Sequence, residues 1–191
     1  MSVDERDREI LRAFSDDADA TLAFQGIRRS LNLHPEKLSR GLRRLEGAGV
    51  VQRTKDGYRL TEAGVAAVPP AQGAAGERLT VMDTMVGPTA SAEGVVGQLK
   101  MKWFSNLRWV GFTQAEGAVA LRWMTEDGSK RLTATLNDGR LLIDVEGDLS
   151  AGLSDALAGA QSIYSHILRA ASRVQVAESE PAWAPTAQSQ T

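Results

Sequence analysis

The chain has 191 residues and a mass of 20.5 kDa, room for one large domain or two small ones. Hydrophobic residues make up 42% and charged residues 24%, ordinary globular values that exclude a wholly disordered or fibrous chain. The absence of cysteine excludes disulfides, thiolate zinc sites, iron–sulfur ligation and cysteine nucleophiles, and two histidines, His34 and His166, are too few for a histidine-rich metal centre. The net charge of −2 conceals a segregation: residues 1–22 carry three arginines against seven acids, residues 23–61 nine basic residues against three acids, and the remainder is acidic again. A basic block inside an acidic chain points to a focused anionic partner, for which nucleic acid is the candidate. No apolar run approaches the roughly 18 residues of a membrane span, and the acidic opening MSVDERDRE is unlike a signal peptide, so a cytoplasmic protein without membrane association is expected.

Ser2 and Glu5 have the S-x-x-E spacing of a capping box, and Ile10, Leu11 and Phe14 supply the apolar stripe of a first helix. The acidic run DDAD at 16–19 interrupts it and reads as a solvated loop. Asp17, Asp19 and Thr21 imitate the opening of a calcium loop, but Leu22 and Arg28 stand where its glycine and glutamate belong. A second helix fits residues 22–31, with Phe24, Ile27 and Leu31 at i, i+3, i+7. Asn32-Leu33-His34 makes a turn, with His34 as a turn or capping residue, and Pro35 suits the first position of a third helix over residues 35–48.

In that third helix Leu38, Leu42 and Leu45 fall at i, i+4, i+7 as the buried face. At about 100° per residue Arg40 and Arg43 lie opposite, flanked by Glu36, Lys37 and Arg44. Gly49 ends the helix. Two short strand patterns follow, residues 50–53 and 58–61, joined by a turn containing the hairpin signal Asp56-Gly57. Three helices and a basic hairpin make a winged helix-turn-helix. The stretch AFQGIRRSLNLHPEKLSRGLRRLEGAGVVQRTKDGYRLTEAG resembles the DNA-binding domain of ArsR- or MarR-like winged-helix transcription regulators of archaeal type. The likeness rests on the second helix, the short turn, the R-x-L-R-R-L-E-x-x-G-V-V helix exit and the closing L-T-E-A-G, and covers residues 4–68.

A major groove about 12 Å wide admits one helix, whose outer face then reaches base edges. Lys37, Arg40, Arg43 and Arg44 supply a cationic front, and Ser39 suits a base or phosphate contact. Arg53, Lys55 and Arg59 on the hairpin are placed for the flanking backbone or minor groove, and Arg28 and Arg29 on the second helix for phosphate.

Pro69-Pro70-Ala71-Gln72-Gly73-Ala74-Ala75-Gly76 reads as a linker. Beyond it residues 77–86 suggest a strand, and Ser91 or a neighbour caps a helix over 92–105 carrying Val96, Leu99 and Trp103. Segments 107–113, 118–125, 130–136 and 140–146 form a β-meander. Gly87, Gly94 and Gly97 lack the Gly-Lys-Ser/Thr of a phosphate loop. A long helix over residues 150–173, with Leu153, Leu157, Ala160, Tyr164 and Ile167 on one stripe, would span about 36 Å. Trp103, Trp109 and Trp123, with Phe104 and Phe112, read first as core, with a ligand pocket or a dimer interface as the alternatives. Asp144 and Glu146 share a strand face that reads as solvated, without the partners acid–base catalysis needs. Alanines at 156, 158, 160, 170 and 171 permit close helix–helix approach, which makes a homodimer plausible.

The expected fold class is therefore α+β, with a winged helix over 1–68, a linker over 69–76, an α+β domain for dimerisation or effector sensing over 77–173, and a disordered tail over 174–191. The expected function is sequence-specific binding of double-stranded DNA by a transcriptional regulator. It is not an enzyme, needs no cofactor or metal, and carries a possible small-molecule or protein effector on its C-terminal domain. The alternative is a winged-helix protein-interaction module of transcription, replication or chromosome machinery, without intrinsic DNA specificity.

Overall fold

Three leucines set one helix face inward, and the fold is built outward from such faces. A computed structural model describes residues 5–68, 76–87, 92–150 and 153–179. Ser2, Ser91 and residues 69–75 of the expected linker lie outside them. Helix α1 (Glu5–Leu11) passes into a 3-10 turn at Arg12–Phe14, and Ile10, Leu11 and Phe14 are buried. Strand β1 (Thr21–Leu22) precedes α2 (Phe24–Ser30), which therefore starts two residues later than its apolar spacing suggests. The reason is backbone pairing: Leu22 is opposite Tyr58 on one side and Gly111 on the other, so its peptide groups belong to a sheet.

Helix α3 (Pro35–Gly47) holds Leu38, Leu42 and Leu45 at 0–2% exposure. Each such side chain contributes about 1.5–3 kcal/mol of burial. His34 caps it, its Nδ1 accepting from the Glu36 N–H at 3.4 Å, and Pro35 takes the first turn. At the other end Gly49 adopts φ +70°, the Gly49 N–H donates to the Glu46 carbonyl at 3.0 Å, and the Val50 N–H to that of Leu45 at 2.9 Å. That is the bond pattern of a Schellman close, which favours glycine. Strands β2 (Val51–Thr54) and β3 (Gly57–Leu60) form the expected hairpin. The sequence reading passed over α4 (Glu62–Ala67), capped by the Thr61 hydroxyl accepting from the Gly64 N–H.

Strand β4 (Glu77–Met85), helix α5 (Ala92–Leu99), strands β5 (Leu107–Ala115), β6 (Ala118–Thr125), β7 (Lys130–Asn137) and β8 (Arg140–Gly147), and helix α6 (Leu153–Ser179) complete the described chain. The eight strands make a single antiparallel sheet in the order β2-β3-β1-β5-β6-β7-β8-β4. The molecule is thus mixed α+β, with α5 and α6 packed on the meander. No helix among the described residues is long and apolar enough to cross a membrane.

Helix α5 stops at Leu99, short of the expected residue 105, and Trp103 lies outside it at 59% exposure, while Trp109 and Trp123 fill the core. The α6 stripe is also shifted. Ala156, Ala160, Ile163, Ile167 and Ala170 face inward, whereas Leu157 is 43% exposed. A Cβ added at Gly159 would meet Leu107 at 2.9 Å, so small residues let this helix lie close on the sheet. Ala156, Ala160 and Ala170 are buried in the carboxy-terminal core and are not spare for a second copy's helix. Helix α6 also runs to Ser179, so residues 174–179 of the expected tail are helical.

Two hydrophobic clusters meet at the β1–β5 seam. Val110 and Met124 of the meander pack with the amino-terminal helices, and Ala23 packs with the carboxy-terminal core. Close approach is enforced at Gly26, where an added Cβ would lie 2.3 Å from the Val110 carbonyl oxygen. Of the acids at 16–19, Asp19 is exposed, but Asp16 and Asp17 are not free loop acids. Asp17 accepts from Arg122 and from the Thr113 hydroxyl, and Asp16 pairs with Arg131. Arg122 and Arg131 project from the meander face that the amino-terminal helices cover, and largely buried guanidinium groups there need carboxylate partners. Asp144 is likewise not solvated: it is 8% exposed, bound by Arg78 at 2.7 Å and by the Thr80 hydroxyl at 2.6 Å on β4.

Candidate nucleic-acid interface

Because the leucine face is buried, α3 turns its opposite side to solvent, where Arg40 and Arg43 are both exposed. Their surroundings differ. Arg40 pairs with Glu36 one turn earlier at 2.5 Å, whereas the Arg43 side chain has no ion-pair partner among the described residues. Lys37 and Arg44 lie on the flank facing α1. Lys37 Nζ is 2.9 Å from Glu9, and Arg44 grips Asp7 through Nη2 at 2.6 Å and Nε at 3.2 Å. An open groove of about 480 Å³ runs between α1 and α3, lined by Ile10, His34, Glu36, Lys37, Arg40 and Arg44. Ser39 is half-buried on the other flank. The front expected of four cations is thus one unpaired arginine, one arginine shared with an exposed glutamate, and two cations partly neutralised by α1. Exposed pairs of this kind are worth about 0–1 kcal/mol and exchange readily for another anion.

The Arg44–Asp7 pair is different, because Asp7 is only 6% exposed. Arg44→Ala strands that carboxylate, and a cost of about 1–3 kcal/mol in urea denaturation is expected, with no change in any base preference.

On the hairpin Arg53 is opposite Tyr58 and Gln52 opposite Arg59, so Arg53 and Arg59 project from opposite faces. Arg59 lines a second groove of about 380 Å³ with Asp19 and Glu62. Lys55 is exposed in the turn. The side chains of Arg53, Lys55 and Arg59 have no ion-pair partner among the described residues. The structure therefore brings Arg40, Arg43 and the hairpin into one half of the molecule without gathering all the expected cations onto one surface.

Arg28 and Arg29 also separate. Both are half-buried, and Arg28 has no side-chain partner among the described residues. Arg29 lies over the exposed Trp103 ring with its guanidinium carbon 5.5 Å from the centroid, and Arg108 lies over the same ring at 4.9 Å. Burial first, then repulsion from Arg28 and Arg108, lowers the Arg29 pKa from its usual value; Glu126 opposes the shift. Sequence reasoning missed this cluster because Trp103 fitted a helical i+7 position. The available signal was the interleaving of charge and aromatics in Lys100-Met101-Lys102-Trp103-Phe104.

No protein-family model, no curated protein and no solved structure matches this chain.

Proposed function

We propose that the protein is a sequence-specific double-stranded DNA-binding regulator, in which residues 5–68 act as a winged helix. The element order α1-β1-α2-α3-β2-β3, with β1 beside β3, supports that reading. The observation that carries it is the outward placement of Arg40 and Arg43 directly behind three fully buried leucines, beside a hairpin whose cations have no ion-pair partner among the described residues. In the proposed mode α3 enters the major groove, Arg43 and Arg40 contact base edges, and Lys55 meets the flanking backbone. Pairing of two copies belongs to the same reading, since helix-turn-helix dimers read half-sites one helical turn apart, and effector sensing is assigned to the carboxy-terminal half.

Selection of bound duplexes from a random library at two salt concentrations tests the reading. A recovered motif, palindromic if the protein pairs, supports it; recovery indistinguishable from the input library overturns it. Lys55→Ala is expected to weaken all duplexes alike and to reduce the log–log salt slope by about 0.9. The partial neutralisation of α3 by Asp7, Glu9 and Glu36 favours one competing reading, a protein-docking module. Its mark is a stable partner from nuclease-treated lysate together with negligible DNA affinity.

A further inference from the structure

A second group of cations stands apart from those on α3. It lies where α2, the hairpin turn and the segment between α5 and β5 meet. Lys100 Nζ bonds Asp56 Oδ1 in the hairpin turn at 3.0 Å, which fixes the segment beside the turn. The segment is held in shape from within. Met101 and Ser105 adopt left-handed φ of 63° and 49°, and the Trp123 Nε1–H donates to the Lys102 carbonyl at 3.1 Å. Phe104 and Leu107 exchange backbone hydrogen bonds at 3.1 and 2.7 Å. Non-glycine residues persist in that conformation only where the surroundings over-determine it, so the segment is a built feature.

What it presents is specific. Trp103 is 59% exposed and carries the guanidinium groups of Arg29 and Arg108. Arg108 is aimed by the Ser105 carbonyl at 2.7 Å and Glu126 at 2.8 Å. Arg29 Nη1 is buried and has no hydrogen-bond acceptor among the described residues. Arg28 and Lys102 add cations whose side chains have no partner among the described residues. Two guanidinium groups fixed on one ring, Arg108 shared with the exposed Glu126 and Arg29 short of one acceptor, suit an anion with several oxygens that exchanges for Glu126.

We propose that residues 100–108, with Arg28 and Arg29, form a second contact for the phosphate backbone of the bound duplex. Arg29 and Arg108 on Trp103 make a two-guanidinium clamp in it. This rests on the DNA-binding reading. Anchoring to the hairpin turn favours a duplex over an acidic protein, because that turn already belongs to the proposed duplex contact through Lys55.

The test uses the full chain and duplexes of about 30 base pairs, titrated over salt. Lys102→Gln alone is expected to reduce the log–log slope by about 0.9, and Lys102→Gln with Arg108→Gln by about 1.8, with base preference unchanged. Lys102 is exposed and bonds its surroundings only through its backbone, its N–H to the Leu99 carbonyl and its carbonyl to the Trp123 Nε1–H, so Lys102→Gln keeps the wild-type unfolding midpoint and reads binding alone. Wild-type slopes in both variants, with Arg40→Ala/Arg43→Ala still impaired, overturn the second contact and leave the DNA-binding reading standing. Absence of binding to any duplex by the wild type overturns both. A reduced slope in the Lys102 and Arg108 variants with Arg40→Ala/Arg43→Ala unimpaired supports the contact and removes α3 from the interface.

Discussion

Replacing Arg40 and Arg43 together by alanine is expected to weaken binding to a selected duplex at least about thirtyfold, with a much smaller loss on a scrambled duplex. A bidentate arginine–base contact is worth about 1–3 kcal/mol of discrimination, so loss of two sets that floor. The fold should not suffer, because both side chains are exposed and the one pair lost, Arg40–Glu36, joins side chains 65% and 66% exposed. The two single variants should differ. Arg43 has no ion-pair partner among the described residues, whereas Arg40 must leave Glu36 before it reaches a base. Arg43→Ala is therefore expected to cost more than Arg40→Ala, and Glu36→Gln to raise duplex affinity. Anisotropy titrations on selected and scrambled duplexes at one salt concentration measure all three. Equal affinity of wild type and the double variant for the selected duplex would remove the base-reading role of α3.

Much of the architecture is legible where local rules act alone. The leucine spacing of α3, its Pro35 start and its Gly49 end depend on residues within one or two turns, and all three stand as the sequence reads. The meander strands are likewise found within one or two residues at each end, because alternation and the turns at Asp127-Gly128 and Asp138-Gly139 are local signals. Misreadings occur where a distant partner decides. Leu22 fits the apolar face of a helix, but β3 and β5 claim its backbone on both sides. Asp16 and Asp17 look like loop acids until Arg131 and Arg122, more than a hundred positions away, are brought against them. Lys37 and Arg44 count as free cations in sequence, and only the packing of α1 reveals Glu9 and Asp7 beside them. For the candidate site the residue types were therefore readable, but their state of compensation was not, since charge pairing across elements leaves no periodic trace.

The seam between the two hydrophobic clusters gives the largest expected stability effect of a single side chain. Asp17→Ala removes the carboxylate that holds both Arg122 and the Thr113 hydroxyl, and the Arg122 side chain is only 14% exposed. A largely buried guanidinium left with a hydroxyl alone costs several kcal/mol when fully enclosed. Partial access to water lowers this to about 2–3 kcal/mol here. Asp19→Ala, whose side chain is exposed, is the matched control and should lie within about 0.5 kcal/mol of wild type. Because the penalty arises from the stranded charge, Asp17→Ala/Arg122→Ala should be less destabilised than the two single costs added together, giving a coupling energy in a double-mutant cycle by urea denaturation. Equal costs for Asp17→Ala and Asp19→Ala would mean that Asp17 does not fasten the amino-terminal helices to the meander. The consequence reaches the interface, because the seam that Asp17 fastens also sets where the segment 100–108 stands relative to the hairpin turn. A loosened seam should therefore lower the duplex salt slope of Asp17→Ala toward that of Lys102→Gln/Arg108→Gln even though Asp17 itself repels phosphate.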